Sequence, residues 1–263
     1  MTNVPQGALF IIGGHEDRDP SDPRTILRAI AERVRGGRLV LATIASAEPE
    51  AYVDGYRAAF ADLGLGELVP FHALDRSEAS DPERLAAFDG ATGVFFTGGD
   101  QKRLMDVILD TPVADRVRAL YEGGGVVAGT SAGASAMSET MIARGPGEKS
   151  PAEGDVLFAR GLCLLPGVVI DQHFAERGRI GRLMAAVAQT PAVLGLGIDE
   201  DTCVVVEGSR FRVIGAGGVT VVEGGEVRPS SASGREVLTI AGARVSLLGA
   251  DDRFDFGTRR LIG

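Results

Sequence analysis

The five residues Gly129-Thr130-Ser131-Ala132-Gly133 constrain this chain more than any other stretch. They follow an apolar run, Gly125-Val126-Val127-Ala128, that reads as a short buried strand, and they open into Ala134-Ser135-Ala136-Met137, which can start a helix. A Gly-x-Ser-x-Gly turn between strand and helix is so tight that only small neighbours fit, and it pushes the central serine out on strained backbone. The plain alternative is a turn of small residues that merely joins two elements, because five-residue patterns recur by chance. For Ser131 to be a nucleophile, the rest of the chain must supply a base, an orienting acid and an oxyanion pocket.

The segments before this turn alternate strand and helix. Ala8 to Ile12 predicts a strand ending in Gly13-Gly14, and Ile26, Leu27, Ile30 and Val34 share one face of a helix from about Pro23 to Val34. Strands at Arg38–Thr43, Glu67–Phe71 and Thr92–Phe96 follow, with helices near Pro49–Leu63, from Asp81-Pro82-Glu83 onward, at Gln101–Leu109 and at Val113–Tyr121. Strands apolar throughout, joined by helices, predict a mostly parallel sheet flanked by helices on both faces. Such folds hold their sites in loops at the carboxyl ends of the strands, where Gly13-Gly14, Thr97 to Gln101 and Gly129 to Gly133 all fall. Residues 144–160 predict a long polar loop, which in a compact domain is functional or mobile. Beyond residue 195 the texture changes to short strands with glycine turns at Cys203–Glu207, Phe211–Ile214, Gly218–Val222, Val237–Ile240 and Arg244–Leu247. The expectation is one α/β domain over 1–263, with a parallel core to about residue 200 and an antiparallel extension over about 201–263.

Charge and cysteine content exclude some functions. A net charge of −9 without a basic block argues against nucleic-acid binding. No apolar run is long enough to span a membrane, and the first residues carry neither a basic segment nor a secretory apolar core, so a cytoplasmic protein is expected. Cys163 and Cys203 both sit in apolar settings, which predicts two buried reduced thiols rather than a disulfide or a metal site.

A serine nucleophile needs a histidine within hydrogen-bond reach, and the chain has three. His72 follows a brief strand and reads as a surface or packing residue; His15 stands at the rim in Gly13-Gly14-His15-Glu16-Asp17. His173 follows the apolar Val168-Val169-Ile170 among polar residues, at the expected sheet edge, and is the preferred base. The acid that orients it is to be sought among Asp171, Asp199 and Glu200. Adjacent strand residues face opposite ways, so only one of Asp199 and Glu200 is expected to reach the imidazole. The oxyanion would be held by the backbone N–H of Ala132 and one from the Gly98-Gly99-Asp100 loop, with Gly99 the candidate. Arg177, Arg179 and Arg182 follow His173 closely; they form either a solvated basic face or a clamp for a substrate carboxylate.

Taken together, Gly13-Gly14 with Glu16-Asp17-Arg18, Thr97 to Gln101, Gly129 to Ala134, Asp171-Gln172-His173-Phe174 with Arg177, Arg179 and Arg182, and Gly197 to Thr202 resemble the cyanophycinases nearly end to end. These are serine-type hydrolases related to the aspartyl dipeptidases. The resemblance implies a fold like that of class I glutamine amidotransferases (flavodoxin-like), with Ser131 where those enzymes carry cysteine, His173 as base and Glu200 as third member. It also implies a pocket lined by Gln101, Asp171, Gln172, Arg177, Arg179 and Arg182. Such enzymes cleave cyanophycin, a polyaspartate bearing arginine on each side chain, to β-Asp-Arg dipeptides; they are typically homodimers and need no metal or cofactor. His15 departs from that pattern, which has a small residue after the glycine pair; an imidazole there would narrow the pocket or alter its pH response. The rivals are a dipeptidase for N-terminal aspartyl peptides, an amidotransferase subunit, which would need cysteine at position 131, and a non-catalytic binding protein.

Overall fold

Apolar strands and one-faced helices alternate through the first half of the chain. In the computed structural model, which describes residues 7–146, 155–190, 193–224, 226–229 and 238–263, that alternation becomes a layered α/β fold. Strands β1 (Ala8–Ile12), β2 (Arg38–Ala42), β3 (Glu67–Phe71), β4 (Ala91–Phe96) and β5 (Val126–Thr130) run parallel in the order β1-β5-β4-β2-β3. Helices α1 (Thr25–Val34), α2 (Pro49–Phe60), the short α3 (Pro82–Leu85), α4 (Gln101–Ile108) and α5 (Pro112–Glu122) connect them. The starts of these helices follow from sequence chemistry. The Asp81 carboxylate accepts from Glu83 N–H, the Asp100 carboxylate accepts from Lys102 and Arg103 N–H, and prolines open α2, α3 and α5. Helix α1 begins at Thr25, after Arg24 in the left-handed region, two residues later than its apolar pattern suggests.

After β5 comes the single-turn α6 (Ala132–Ser135), then an antiparallel pair, β6 (Thr140–Arg144) and β7 (Leu157–Arg160). The two ends of the polar stretch 144–160 therefore belong to strands; its centre, 147–154, lies outside the described residues. Next are β8 (Val168–Gln172), α7 (Ile180–Gln189) and β9 (Leu194–Ile198). The chain closes with β10 (Thr202–Glu207), β11 (Arg210–Gly215), β12 (Val219–Glu223), β13 (Glu226–Pro229), β14 (Leu238–Ala241), β15 (Arg244–Leu248), β16 (Arg253–Asp255) and β17 (Arg260–Ile262). Val237, expected to begin a strand, lies outside the described residues. No helix among the described residues is long and apolar enough to cross a membrane.

The C-terminal strands are antiparallel, as expected, but they divide among three sheets: β13 and β14 pair with each other, and the rest join two larger sheets. Strands β10, β11, β16 and β17 extend the main sheet beyond β1, whereas β12 and β15 join β9 and β8 in a second, four-stranded sheet. The sequence does not separate these cases, because β8 and β9 are buried along their whole length like the core strands of the main sheet. Ile170, Leu194, Leu196 and Ile198 pack in one cluster with Leu9, Ile11 and Val127 of the main sheet, and Val169 packs with Leu183 and Val187 of α7. The second sheet is thus an inner layer between the main sheet and α7. On the opposite face, Phe10, Ile12, Leu41 and Phe95 meet the stripe Ile26, Leu27, Ile30 of α1 and Tyr56, Phe60 of α2. Each fully buried leucine or isoleucine in these layers contributes about 1.5–3 kcal/mol.

One expectation about packing fails. Cys203 is buried in β10, and burial holds its thiol well above the ordinary range, but Cys163 is exposed. Cys163 has a positive φ of 58°, so its side chain turns out of the apolar run that contains it.

Candidate active site

The carboxyl ends of β1, β4, β5, β8 and β9 converge on Ser131. The serine has φ 52° and ψ −107°, a conformation that an L-residue adopts only under constraint. Its neighbours explain why it is tolerated. A Cβ on Gly129 would stand 2.6 Å from the Gly133 carbonyl, and one on Gly133 would stand 2.4 Å from the Phe96 carbonyl oxygen. The turn therefore closes only with hydrogen at both positions, and the Ser131 N–H donates to the Ile12 carbonyl at 3.0 Å.

His173 approaches from β8. Its N–H donates to the Gly13 carbonyl at 2.8 Å, and its ring lies against Gly14, where a Cβ would fall 2.2 Å from the imidazole. His173 Nε2 is 2.9 Å from Ser131 Oγ, and Nδ1 is 2.5 Å from Glu200 Oε1. A carboxylate only accepts, so Nδ1 carries the proton and Nε2 is left to accept from the serine hydroxyl. Burial lowers the His173 pKa below the ordinary histidine value of 6.5; the Glu200 hydrogen bond opposes this, while Arg177 and His15 push it lower still. The imidazole is thereby kept neutral, as a general base must be.

Of the three carboxylates considered for the third position, Glu200 touches the ring. Asp199 turns the other way and accepts from Ala175 N–H and Gly218 N–H, each at 3.0 Å. Asp171 is 1% exposed and pairs with both Arg179 and Arg182. Arg179 also donates to the Gln172 carbonyl at 2.5 Å and to its side-chain oxygen at 3.2 Å. Burial pulls the Arg179 pKa down to about 10, against the attraction of Asp171. These two guanidinium groups, read as either a solvated face or a clamp for a substrate carboxylate, are each paired with the internal Asp171 carboxylate. Gln172 Oε1 lies 3.4 Å from Ser131 Oγ, and Gln101 donates to the Ile142 carbonyl from the start of α4.

A cleft of about 140 Å³ opens beside Ser131, lined by His15, Glu16, Arg18, Tyr52, Tyr56, Gly98, Gly99, Thr130, His173 and Arg177. Among the residues expected to hold substrate, Arg177 reaches it; Gln101, Asp171, Gln172, Arg179 and Arg182 do not form its wall. Gly99 backbone lies in the lining, and Ala132 is the first residue of α6, where an N–H has no acceptor within the helix. Strand-to-helix serine turn, oriented imidazole and carboxylate together form the constellation of acyl-transfer hydrolases.

A profile of peptidase family S51 matches residues 9–214. The chain belongs to that family. It is similar over 97% of its length to the cyanophycinase of Trichormus variabilis, at 38% identity and covering 87% of that protein. It is 37% identical to the cyanophycinase of Thermosynechococcus vestitus, covering 97% of this chain and 81% of the relative. The cyanophycinase of Geminocystis herdmanii is 35% identical, with 99% and 97% covered. Among solved structures, a peptidase from an acI-B1 Actinobacterium superposes with a TM-score of 0.66 over 93% of this chain and 98% of that one, at 20% identity. A putative peptidase E from Listeria monocytogenes gives 0.53 at 15% identity, over 80% of this chain and 98% of its own. Both carry the same fold.

The S51 cleft also contains groups to which the sequence assigned no role. Glu16, 4% exposed, accepts from the Tyr56 hydroxyl and from Thr130 Oγ1, the latter at 2.5 Å. Arg18 lies 5.2 Å from the Tyr56 ring centre. A signal was present: Tyr52 and Tyr56 are four apart on α2 and so share a face. Nothing local, however, showed that this face meets the end of β1.

Proposed function

We propose that this S51 peptidase hydrolyses cyanophycin to β-Asp-Arg dipeptides through an acyl-enzyme on Ser131. The observation that carries the mechanism is the chain of contacts from Ser131 Oγ to His173 Nε2 at 2.9 Å and from His173 Nδ1 to Glu200 at 2.5 Å. The substrate is supported by the cyanophycinases that the chain resembles over nearly its whole length. Ser131 Oγ attacks an aspartyl main-chain carbonyl while His173 Nε2 takes its proton. The tetrahedral oxygen sits on the N–H groups of Ala132 and Gly99, and collapse passes the proton from His173 to the leaving amine. Water then repeats the sequence on the ester and frees Ser131. Glu200 holds the tautomer and offsets the charge of the imidazolium.

Each substrate repeat carries a guanidinium and a carboxylate, and the cleft offers partners of both signs in Glu16 and in Arg18 and Arg177. Asp171, Arg179 and Arg182 act from beneath, by fixing Gln172 and the strand end that carries His173. The same proposal takes the chain as one unit and as a cytoplasmic homodimer, which light scattering on the purified protein tests for assembly. Incubation with purified cyanophycin, beside a Ser131→Ala variant, tests the reaction. Dipeptide release by the wild type alone is expected. Equal release by the variant would reject Ser131 as nucleophile, and turnover of N-terminal aspartyl dipeptides with intact polymer would reject the substrate.

A further inference from the structure

His15 has no part in the mechanism proposed above, yet it lines the cleft beside Ser131 and His173. Its ring centre lies 5.4 Å from that of His173 at a steep angle, and its Nε2 lies 3.7 Å from Glu200 Oε1. His15, His173 and Glu200 each offer one ligand atom, and all three atoms fall within 4.8 Å of one another. Two imidazoles and a carboxylate are a zinc ligand set that leaves a fourth position for water. At zinc–ligand distances of about 2.1 Å, tetrahedral partners stand about 3.4 Å apart. The His15–Glu200 spacing is close to that, whereas the His173–Glu200 contact must open by about 1 Å. The required freedom is on the right side: the His15 side chain is 70% exposed and that of Glu200 30%, while His173 is packed against Gly14 and stays put.

We propose that His15 converts the catalytic His173–Glu200 pair into an inhibitory zinc site. The metal takes the lone pairs of His15 Nε2, of one Glu200 oxygen and of His173 Nδ1. The metal displaces the Nδ1 proton to solvent and Nε2 takes one up from solvent, since a metal-bound neutral imidazole keeps its single proton on the other nitrogen. Nε2 then donates toward Ser131 Oγ and has no lone pair with which to take the serine proton. Zinc thus removes the base by fixing the wrong tautomer, without displacing the ring. The inhibitory effect rests on the mechanism proposed above; the metal site does not.

Two readouts keep these apart. Calorimetric titration of metal-free protein with zinc chloride is expected to give one ion per chain, with affinity at least about tenfold lower in His15→Ala, the lower end of what even outer-shell partners are worth. Cyanophycin hydrolysis is expected to fall with added zinc and return with EDTA. His15→Ala, normalised to its own zinc-free rate, should need at least tenfold more zinc for half-inhibition. Cys163→Ser, which removes the exposed thiol, should match the wild type in both readouts. Absence of binding, equal affinity in His15→Ala, or loss of binding in Cys163→Ser overturns the site. Binding without inhibition overturns the tautomer mechanism. A wild type that leaves cyanophycin intact in zinc-free buffer overturns the functional reading, and the calorimetry still decides the metal site.

Discussion

The ends of the two sheets contribute differently to the site. The main sheet brings the groups that would meet the reacting carbonyl: Ser131 from β5 and the glycine loop after β4. The second sheet brings the groups that would handle the proton, His173 after β8 and Glu200 after β9. The first set is held by steric closure, since Gly129 and Gly133 leave no room for a side chain. The second is held by polar contacts, with Asp171 and Arg179 buried and Arg182 half-buried next to the histidine's strand. Gly13 and Gly14 join the two sets: Gly13 N–H donates to the Thr202 carbonyl, its own carbonyl accepts from His173, and the Gly14 carbonyl accepts from Asp201 N–H. A site divided in this way puts its precision at the seam between the layers, so damage to either layer should read out differently.

The largest expected effect comes from deleting the group that crosses the seam. His173→Ala should lower kcat by about 10⁶-fold, and Ser131→Ala by a similar amount, with the double variant no worse than either; steady-state kinetics on cyanophycin would measure it, and additive losses would show that the two do not act as a unit. Asp171→Asn comes next. It strands one buried and one half-buried guanidinium group, so unfolding free energy should fall by about 3–5 kcal/mol and Tm by on the order of 10 °C, as calorimetry would record. A stable variant with high KM would instead make this network a substrate contact.

Gly14→Ala acts on the seam alone. The added methyl meets the His173 ring, and φ at this residue is +115°, so kcat should drop on the order of 100-fold, the usual result of an ångström-scale misplacement. Unchanged turnover would mean that the ring is not fixed from β1. The smallest effect is on pH. Because His173 is held below 6.5, the acid limb of kcat/KM should have its midpoint below that value. The unfolded chain binds a proton there before the folded one does, so this residue's share of stability also falls as pH drops below about 6.5. A limb centred above 6.5 would show that Glu200, not burial, dominates the ring.

Much of this was legible in the residues themselves. Strands β1 to β5 and the turn at Ser131 follow from apolar runs, caps and glycines, all of which act within a few positions. Only one of Asp199 and Glu200 reaches the imidazole, but both lie past the end of β9, so the turn that follows the strand separates them rather than strand alternation. Other features were hidden for one reason. An apolar run records burial on both faces but not which layer supplies the burial, so β8 and β9 read as members of the main sheet. Likewise, Arg179 and Arg182 read as free cations because their partner, Asp171, is reached only when α7 folds back over β8. Glu16 shows the same limit: its contacts with Tyr56 and Thr130 span 40 and 114 residues.

By itself the sequence picked out the candidate nucleophile: a serine on a turn that admits no side chain beside it, with few histidines to serve it. Those are local steric and chemical facts, and they survive any arrangement of the layers. Only the tertiary structure decided which charges face the cleft and which face each other. A buried charge takes the nearest partner that offsets its desolvation, and nearness between distant segments is set by packing.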